Sequence, residues 1–160
     1  MFGKKGCKRF KALRTALAVA VFAAIFTAGG TGYGEELENG DLFIPAEEVS
    51  ETASFYPVEV EGTKMEIFAV KAPDGTIRTA FNTCQVCYGS GRGYYKQEGS
   101  VLVCQNCGNR FKTSDIEVAR GGCNPVPITS KYKSVDESGV TIPKDFLLRA
   151  KVIFAKWKRQ

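Results

Sequence analysis

The apolar and polar positions divide the chain into an apolar stretch near the N-terminus and a longer part with strand-like alternation. Residues 16–28 carry no charged side chain. From about Asp41 onward, apolar and polar residues alternate over short runs that turn-forming residues separate. This pattern favours short β-strands over long helices. We therefore predict a β-rich α+β domain with an antiparallel sheet, preceded by one N-terminal hydrophobic helix.

Turn signals place the first strands of this domain. Residues 55–60 and 65–70 alternate on either side of Glu61-Gly62-Thr63-Lys64, which predicts a hairpin. Pro73-Asp74-Gly75 predicts a tight turn, and residues 76–81 continue as a further strand. The three strands would form an antiparallel sheet that leads the chain directly into Cys84.

The remaining segments predict smaller elements. Tyr94-Tyr95 and residues 100–103 flank Gln97-Glu98-Gly99 and predict a second hairpin. Residues 44–49 contain a proline followed by two acidic residues, which favours one short helical turn. Residues 151–157 are predicted to be a strand near the C-terminus.

The apolar stretch predicts export or anchoring. Its 13 residues suit the apolar core of an export signal, and a helix over residues 15–30 would suffice for an uncleaved anchor. Basic residues before it and acidic residues after it predict a cytoplasmic N-terminus and an extracytoplasmic domain. We expect residues 1–34 to form a signal peptide or uncleaved signal anchor with a glycine-rich tether. Residues 41–160 form the predicted folded domain, at the cell membrane or secreted across it.

Charge and composition exclude several functions. The net charge is +5, but six of the 22 basic residues lie in the first fourteen positions, which leaves 16 basic against 17 acidic residues. The folded part therefore lacks the concentrated positive charge of a nucleic-acid-binding surface. The chain has no histidine, which excludes His-based catalysis and imidazole metal ligands. No pair of carboxylates marks an enzyme active site, so the sequence gives an enzyme little support.

Cysteines are the candidate functional residues. Cys84 and Cys87 form one C-x₂-C pair, and Cys104 and Cys107 form a second pair sixteen residues later. This spacing is typical of a zinc-ribbon-like metal site, in which two tight turns, or knuckles, aim four sulfurs at one point. Cys123 follows as a fifth ligand, a ligand to a second metal or a redox-active neighbour. Disulfides and thiol exchange are the alternatives to metal binding.

Two further expectations concern the cysteines. Cys7 precedes the apolar stretch, so we expect a spare cytoplasmic thiol that shares no site with the others. The hairpin between the pairs is rich in glycine and polar residues, so we expect its folding to depend on metal.

The segments around the cysteines resemble one known family in combination. The resemblance is carried by residues 69–88, 93–99, 103–111 and 121–125, which include both C-x₂-C pairs and Cys123. In these segments the chain is similar to the FtrD-like family of membrane iron–sulfur-containing proteins. The resemblance covers about residues 41–128 and continues more weakly to the end.

The resemblance implies an extracytoplasmic, cysteine-ligated metal centre that serves iron uptake or electron transfer. Cys84, Cys87, Cys104, Cys107 and Cys123 would be its ligands. The implied cofactor is an iron–sulfur cluster or iron, and the implied partner is an iron permease or another membrane redox protein. Zinc and copper are alternative metals, because both accept thiolate ligands. The alternative function is a structural zinc-ribbon module that docks a membrane partner.

Overall fold

A computed structural model describes residues 40–158 of the 160-residue chain. These residues form ten strands and one α-helix. In chain order they are β1 (Leu42–Pro45), β2 (Ser54–Val60), β3 (Thr63–Lys71), β4 (Ile77–Cys84), β5 (Tyr95–Glu98), β6 (Val101–Cys104), β7 (Arg110–Lys112), β8 (Pro125–Pro127), β9 (Ser134–Val135), β10 (Gly139–Ile142) and α1 (Lys144–Ala150). The predicted N-terminal helix, tether and Cys7 lie outside the described residues.

The central sheet has four antiparallel strands in the order β2-β3-β4-β8. It contains the predicted first hairpin and the strand that ends at Cys84, so these predictions are confirmed. Pro57 is tolerated in β2 because this strand lies at the edge of the sheet, where one side needs no ladder hydrogen bonds. β8 adds a strand that the sequence did not predict, and its pairing with β4 sets Pro125 opposite Cys84.

A smaller sheet carries the second cysteine pair. It has the order β5-β6-β7, and β5 and β6 form the predicted second hairpin. Its strands lie between the two C-x₂-C segments and directly after the second one. The predicted antiparallel hairpin between the cysteine pairs is thus confirmed.

A third sheet and a helix close the other side of the domain. β1 pairs with β10, and β10 pairs with β9, so residues a hundred positions apart meet. A 3₁₀ turn over Ala46–Glu48 confirms the predicted helical turn near Pro45. The predicted strand over residues 151–157 is wrong. Those residues continue from α1 into a 3₁₀ helix (Lys151–Phe154), which places Phe154 and Trp157 on the same buried side as Leu147.

The two faces of the central sheet pack into two apolar clusters. On β3, Met65, Ile67 and Ala69 face the first cluster, which also contains Leu147 and Trp157. The alternate β3 residues Phe68 and Val70 face the second cluster. This cluster also holds Ala80, Tyr95, Leu102, Phe111, Ile116 and three of the cysteines. The period-two alternation of the strands explains this division. Three of the five clustered cysteines therefore lie in an apolar core, and Cys123 packs against it.

The described residues contain no helix that is long and apolar enough to cross a membrane. The apolar stretch at residues 16–28 lies outside that part of the chain.

Candidate metal centre

The ends of strands position the first cysteine of each pair. Cys84 is the last residue of β4, and Cys104 is the last residue of β6. Both are buried. The backbone N–H of Cys84 donates to the carbonyl of Gly93 over 2.6 Å, and the N–H of Cys104 donates to the carbonyl of Asn109 over 2.9 Å. Backbone hydrogen bonds thus hold the main chain of these two cysteines in place without a metal ion.

Each strand end continues into a tight knuckle. In the first, the N–H of Cys87 lies 3.4 Å from the sulfur of Cys84, and the carbonyl of Cys87 accepts hydrogen bonds from Ser90. In the second, Gly108 has a φ of 74° and donates its N–H to the carbonyl of Cys104. A left-handed φ is favourable for glycine, so the Cys107-Gly108 sequence suits this turn.

Cys123 reaches the same place from a different direction. It lies two residues before β8, whose pairing with β4 carries it to the knuckles. Its carbonyl accepts hydrogen bonds from Tyr95 Oη at 2.7 Å and Asn109 Nδ2 at 2.9 Å. Its sulfur lies 4.0 Å from the sulfur of Cys87. The fifth cysteine is therefore held beside the others by residues of both sheets.

The five sulfurs form two overlapping groups. Cys84, Cys87 and Cys104 form one group, and Cys87, Cys107 and Cys123 form the other; within each, the sulfurs lie within 4.8 Å of one another. We call these the inner trio and the outer trio. All three residues of the inner trio are buried, whereas Cys107 is exposed and Cys123 is half-buried. All five are free thiols, so the structure pairs none of them in a disulfide.

Burial and hydrogen bonding give the thiols different acidities. Burial raises the pKa of Cys104 to about 12. Burial also acts to raise the pKa of Cys84, but hydrogen bonds from Tyr95 and from backbone N–H groups outweigh it and lower the pKa. A hydrogen bond from the backbone of Asn109 is the main cause that lowers the pKa of Cys107 to about 7. Cys107 is thus the exposed thiol that ionises most readily, and thiolates are the form that binds metals.

The donor set suits soft metals and iron–sulfur groups. Each trio consists of cysteine sulfurs alone, and among the described residues no carboxylate joins these groups. Iron–sulfur clusters take thiolate ligands, and soft ions such as Cu(I) and Zn²⁺ do the same. Hard ions such as Mg²⁺ and Ca²⁺ need oxygen ligands, so the site is unsuited to them.

Asn82 is a buried residue that holds the backbone next to the site, and the sequence analysis did not assign it to the site. Asn82 Oδ1 accepts the backbone N–H of Tyr95 at 2.7 Å, and its backbone carbonyl accepts Trp157 Nε1 at 2.7 Å. Asn82 Nδ2 also donates to Glu66 Oε2. Asn82 therefore ties β4, β5 and the C-terminal segment together two residues before Cys84. No short-range sequence signal reveals this role, because its partners are distant in the chain.

Comparison with known proteins identifies a family that matches this chain. The model of the family described as "Membrane iron-sulfur containing protein FtrD-like" matches residues 49–154, about two thirds of the chain. No curated protein and no solved structure matches the chain significantly. The matched region includes all five clustered cysteines and both sheets that hold them. The chain therefore belongs to the FtrD-like family of membrane iron–sulfur-containing proteins.

Proposed function

We propose that this protein carries a cysteine-ligated iron–sulfur group outside the cytoplasm and serves iron uptake, by transferring electrons or by handling metal. The observation that carries the proposal is that the fold brings five free thiols together in two overlapping groups that share Cys87. The family description supports the membrane association and the iron–sulfur group.

The residues present fit such a group by their chemistry. Iron–sulfur clusters are held by four cysteine thiolates, and this site offers five sulfurs. The proposed ligands are Cys84, Cys87, Cys104, Cys107 and Cys123. When bound, the group supplies reversible transfer of single electrons.

The protein's own residues control access to the site. Phe68, Leu102 and Tyr95 are almost fully buried in the same cluster as the inner trio, so they exclude water from its side of the site. Cys107, by contrast, is exposed and marks the solvent edge of the site. An electron or a metal ion would therefore enter or leave at the Cys107 edge.

The sequence and the family also support a position and a partner for the protein. Residues 15–30 would tether the protein to the membrane, with the N-terminus in the cytoplasm and the domain outside. The proposed partner is an iron permease or another membrane redox protein. Val86 and Tyr88 flank Cys87 and expose 62% and 42% of their surfaces, which offers apolar contact beside the site.

One observation favours a second function, a structural zinc module that docks a membrane partner. A tetrahedral zinc ion with Zn–S bonds of about 2.3 Å holds its sulfurs about 3.8 Å apart. The Cys87 and Cys123 sulfurs lie close to that spacing, at 4.0 Å. The two functions differ in colour, because iron–thiolate sites absorb visible light and change on reduction, whereas zinc does neither.

The test combines purified protein with cells. We expect protein from native membranes to be coloured and to bleach on reduction with dithionite. Cells whose chromosomal copy carries Cys104→Ser should lose iron uptake under iron limitation, and cells with the matched Cys7→Ser change should keep it. A colourless zinc protein, together with normal uptake by the Cys104→Ser cells, would refute the proposal and favour the zinc module.

A further inference from the structure

Two features of the cysteine site do not fit a single four-cysteine ion. The first is grouping: the four knuckle sulfurs do not all lie within 4.8 Å of one another, whereas Cys87 lies within that distance of Cys84 and Cys104 and also of Cys107 and Cys123. A single tetrahedral ion would need all four knuckle sulfurs about 3.8 Å apart. The second feature is number, because a tetrahedral ion has no place for a fifth sulfur.

The inner trio contains the buried cysteines, and the outer trio adds the two that lie nearer to solvent. The trios therefore do not coincide with the two C-x₂-C pairs. Cys84 and Cys104 end two strands of different sheets and lie in the apolar cluster. Cys107 and Cys123 lie on the second knuckle and on the loop before β8, nearer to solvent. Cys87 belongs to both trios.

We infer that the site holds two thiophilic metal ions, with the sulfur of Cys87 bridging them. Cys84 and Cys104 are the other cysteine ligands of the inner position, and Cys107 and Cys123 are those of the outer position. This inference rests on the proposed function only in taking the five cysteines as metal ligands. Each thiol that binds a metal ion releases its proton to solvent, and no oxidation state changes. Cys123 is then an equal ligand of the outer ion and not an accessory thiol.

The placement of Cys123 supports its role as a ligand. Tyr95 Oη and Asn109 Nδ2 both hold its carbonyl, and the neighbouring carbonyl of Asn124 accepts the N–H of Gln85 at 2.9 Å. The loop is therefore attached to both knuckles. Two hydrogen bonds to the Cys123 carbonyl and one to the Asn124 carbonyl thus fix the backbone from which the Cys123 sulfur extends toward the other cysteines.

The two positions differ in access, and this has a kinetic consequence. Water and chelators reach the outer ion past the exposed Cys107, whereas the inner ion is bound by buried sulfurs only. The outer ion should leave first when a chelator is added. An ion that enters at the outer position can pass inward by exchanging Cys107 and Cys123 for Cys84 and Cys104 while it stays bound to Cys87.

Co²⁺ provides the test, because it is paramagnetic and a bridging thiolate couples the spins of two Co²⁺ ions. Full-length, reduced, metal-free protein is titrated with Co²⁺ without oxygen. The electron paramagnetic resonance signal should rise up to one equivalent and fall as a second equivalent binds. On addition of EDTA, one equivalent should leave quickly, the signal should recover, and the second should leave slowly. Loss of both ions in one phase would contradict the difference in access.

Single substitutions assign the ligands. Cys123→Ser and Cys107→Ser should each bind one equivalent and keep the full signal, since only the inner position remains. The Cys7→Ser control should behave like the unsubstituted protein. Trp157 fluorescence checks that each variant folds, and either outer variant suffices if the other does not fold. Binding of one equivalent by the unsubstituted protein, or a coupled second ion in both outer variants, would overturn the inference.

The outcomes separate this inference from the proposed function. Two coupled Co²⁺ ions in a protein whose native metal is zinc would uphold the two positions and refute the iron–sulfur function. Native protein that contains iron and sulfide, but that binds only one equivalent of Co²⁺ after metal removal, would uphold the iron–sulfur function and refute the two positions.

Discussion

At the scale of single residues, Gly93 is the most constrained position beside the first knuckle. A Cβ atom there would lie 2.4 Å from the carbonyl oxygen of Cys87, too close for the backbone to remain in place. We expect Gly93→Ala to destabilise the protein by about 1–3 kcal/mol, as overpacking does, and to lower its metal content. Chemical denaturation and metal analysis measure the two effects.

Gly89 provides the matched control for this change. A Cβ atom at Gly89 would meet nothing within 4 Å, and the residue belongs to the same glycine-rich segment. Gly89→Ala should change the free energy of unfolding by less than about 0.5 kcal/mol. Equal destabilisation by both substitutions would contradict the role given to Gly93.

At the scale of elements, a buried ion pair attaches the Cys123 loop to the central sheet. Lys133 Nζ contacts Glu117 Oε1 and Thr79 Oγ1, and the N–H of Thr79 donates to Glu117 Oε1 over 2.6 Å. The Lys133 side chain is only 3% exposed, and burial lowers its pKa. Lys133→Met should cost about 3 kcal/mol, because it leaves the Glu117 carboxylate partly buried without its cation.

Hydrogen exchange locates the effect of Lys133→Met. Residues 116–123 should exchange faster in this variant, while β3 and β4 keep their protection. The double variant Lys133→Met/Glu117→Gln should recover part of the lost stability, since no unpaired charge remains. Unchanged exchange in residues 116–123 would show that the ion pair does not hold the loop.

The turn between β3 and β4 should depend on pH. Hydrogen bonds from the side chain and backbone of Thr76 are the main cause that lowers the pKa of Asp74 to about 2, and Arg78 adds to them. The folded protein therefore favours the ionised form. The stabilisation by Asp74 is complete above its unfolded pKa, near 4, and is lost as the pH falls toward 2.

Comparison with Asp74→Asn measures this dependence. The variant should be less stable than the unsubstituted protein at pH 6, and the difference in the free energy of unfolding should shrink between pH 4 and pH 2. A difference that stays constant down to pH 2 would mean that the Asp74 carboxylate does not stabilise the turn.

The sequence predicted those elements whose signals are local. The β2–β3 and β5–β6 hairpins have turn residues between alternating strands, and the C-x₂-C spacing indicated the two knuckles. The pairing of β1 with β10 joins residues a hundred positions apart, which no short window reveals. β8 is a three-residue strand with a proline at each end, so it carries no strand signal. The sequence analysis expected Cys123 to join the other cysteines, but the pairing of β8 with β4 that carries it there is visible only in the structure.

The error at residues 151–157 has a similar physical cause. Leu147, Phe154 and Trp157 are buried with the spacing of helix turns, while Val152 is 71% exposed. That spacing becomes visible only when α1 and the following 3₁₀ helix are considered together. The short run 151–157 on its own is equally compatible with a strand.

At the scale of the whole molecule, the domain should survive loss of its metal while the site loosens. The first apolar cluster contains no cysteine, and the second also buries Phe68, Leu102 and Tyr95 beside the cysteines. The glycine-rich hairpin thus has apolar packing behind it, and we expect its dependence on metal to be partial. Metal removal should lower the unfolding temperature without unfolding the protein at 25 °C, because a ligand stabilises the state that binds it.

Hydrogen exchange after chelation tests this expectation. Exchange should increase in residues 85–93, 105–109 and 118–124, and the central strands should stay protected. Global loss of protection in the metal-free protein would mean that the apolar clusters cannot hold the fold alone.

The iron–sulfur group proposed for the five clustered cysteines of this FtrD-like protein can be measured chemically. The most direct measurement is quantification of iron, acid-labile sulfide, zinc and copper in protein purified from native membranes without oxygen, followed by electron paramagnetic resonance of the oxidised and reduced forms. We expect iron and sulfide in fixed proportion to the chain, with a resonance that changes on reduction. Protein that contains zinc and neither iron nor sulfide would contradict it.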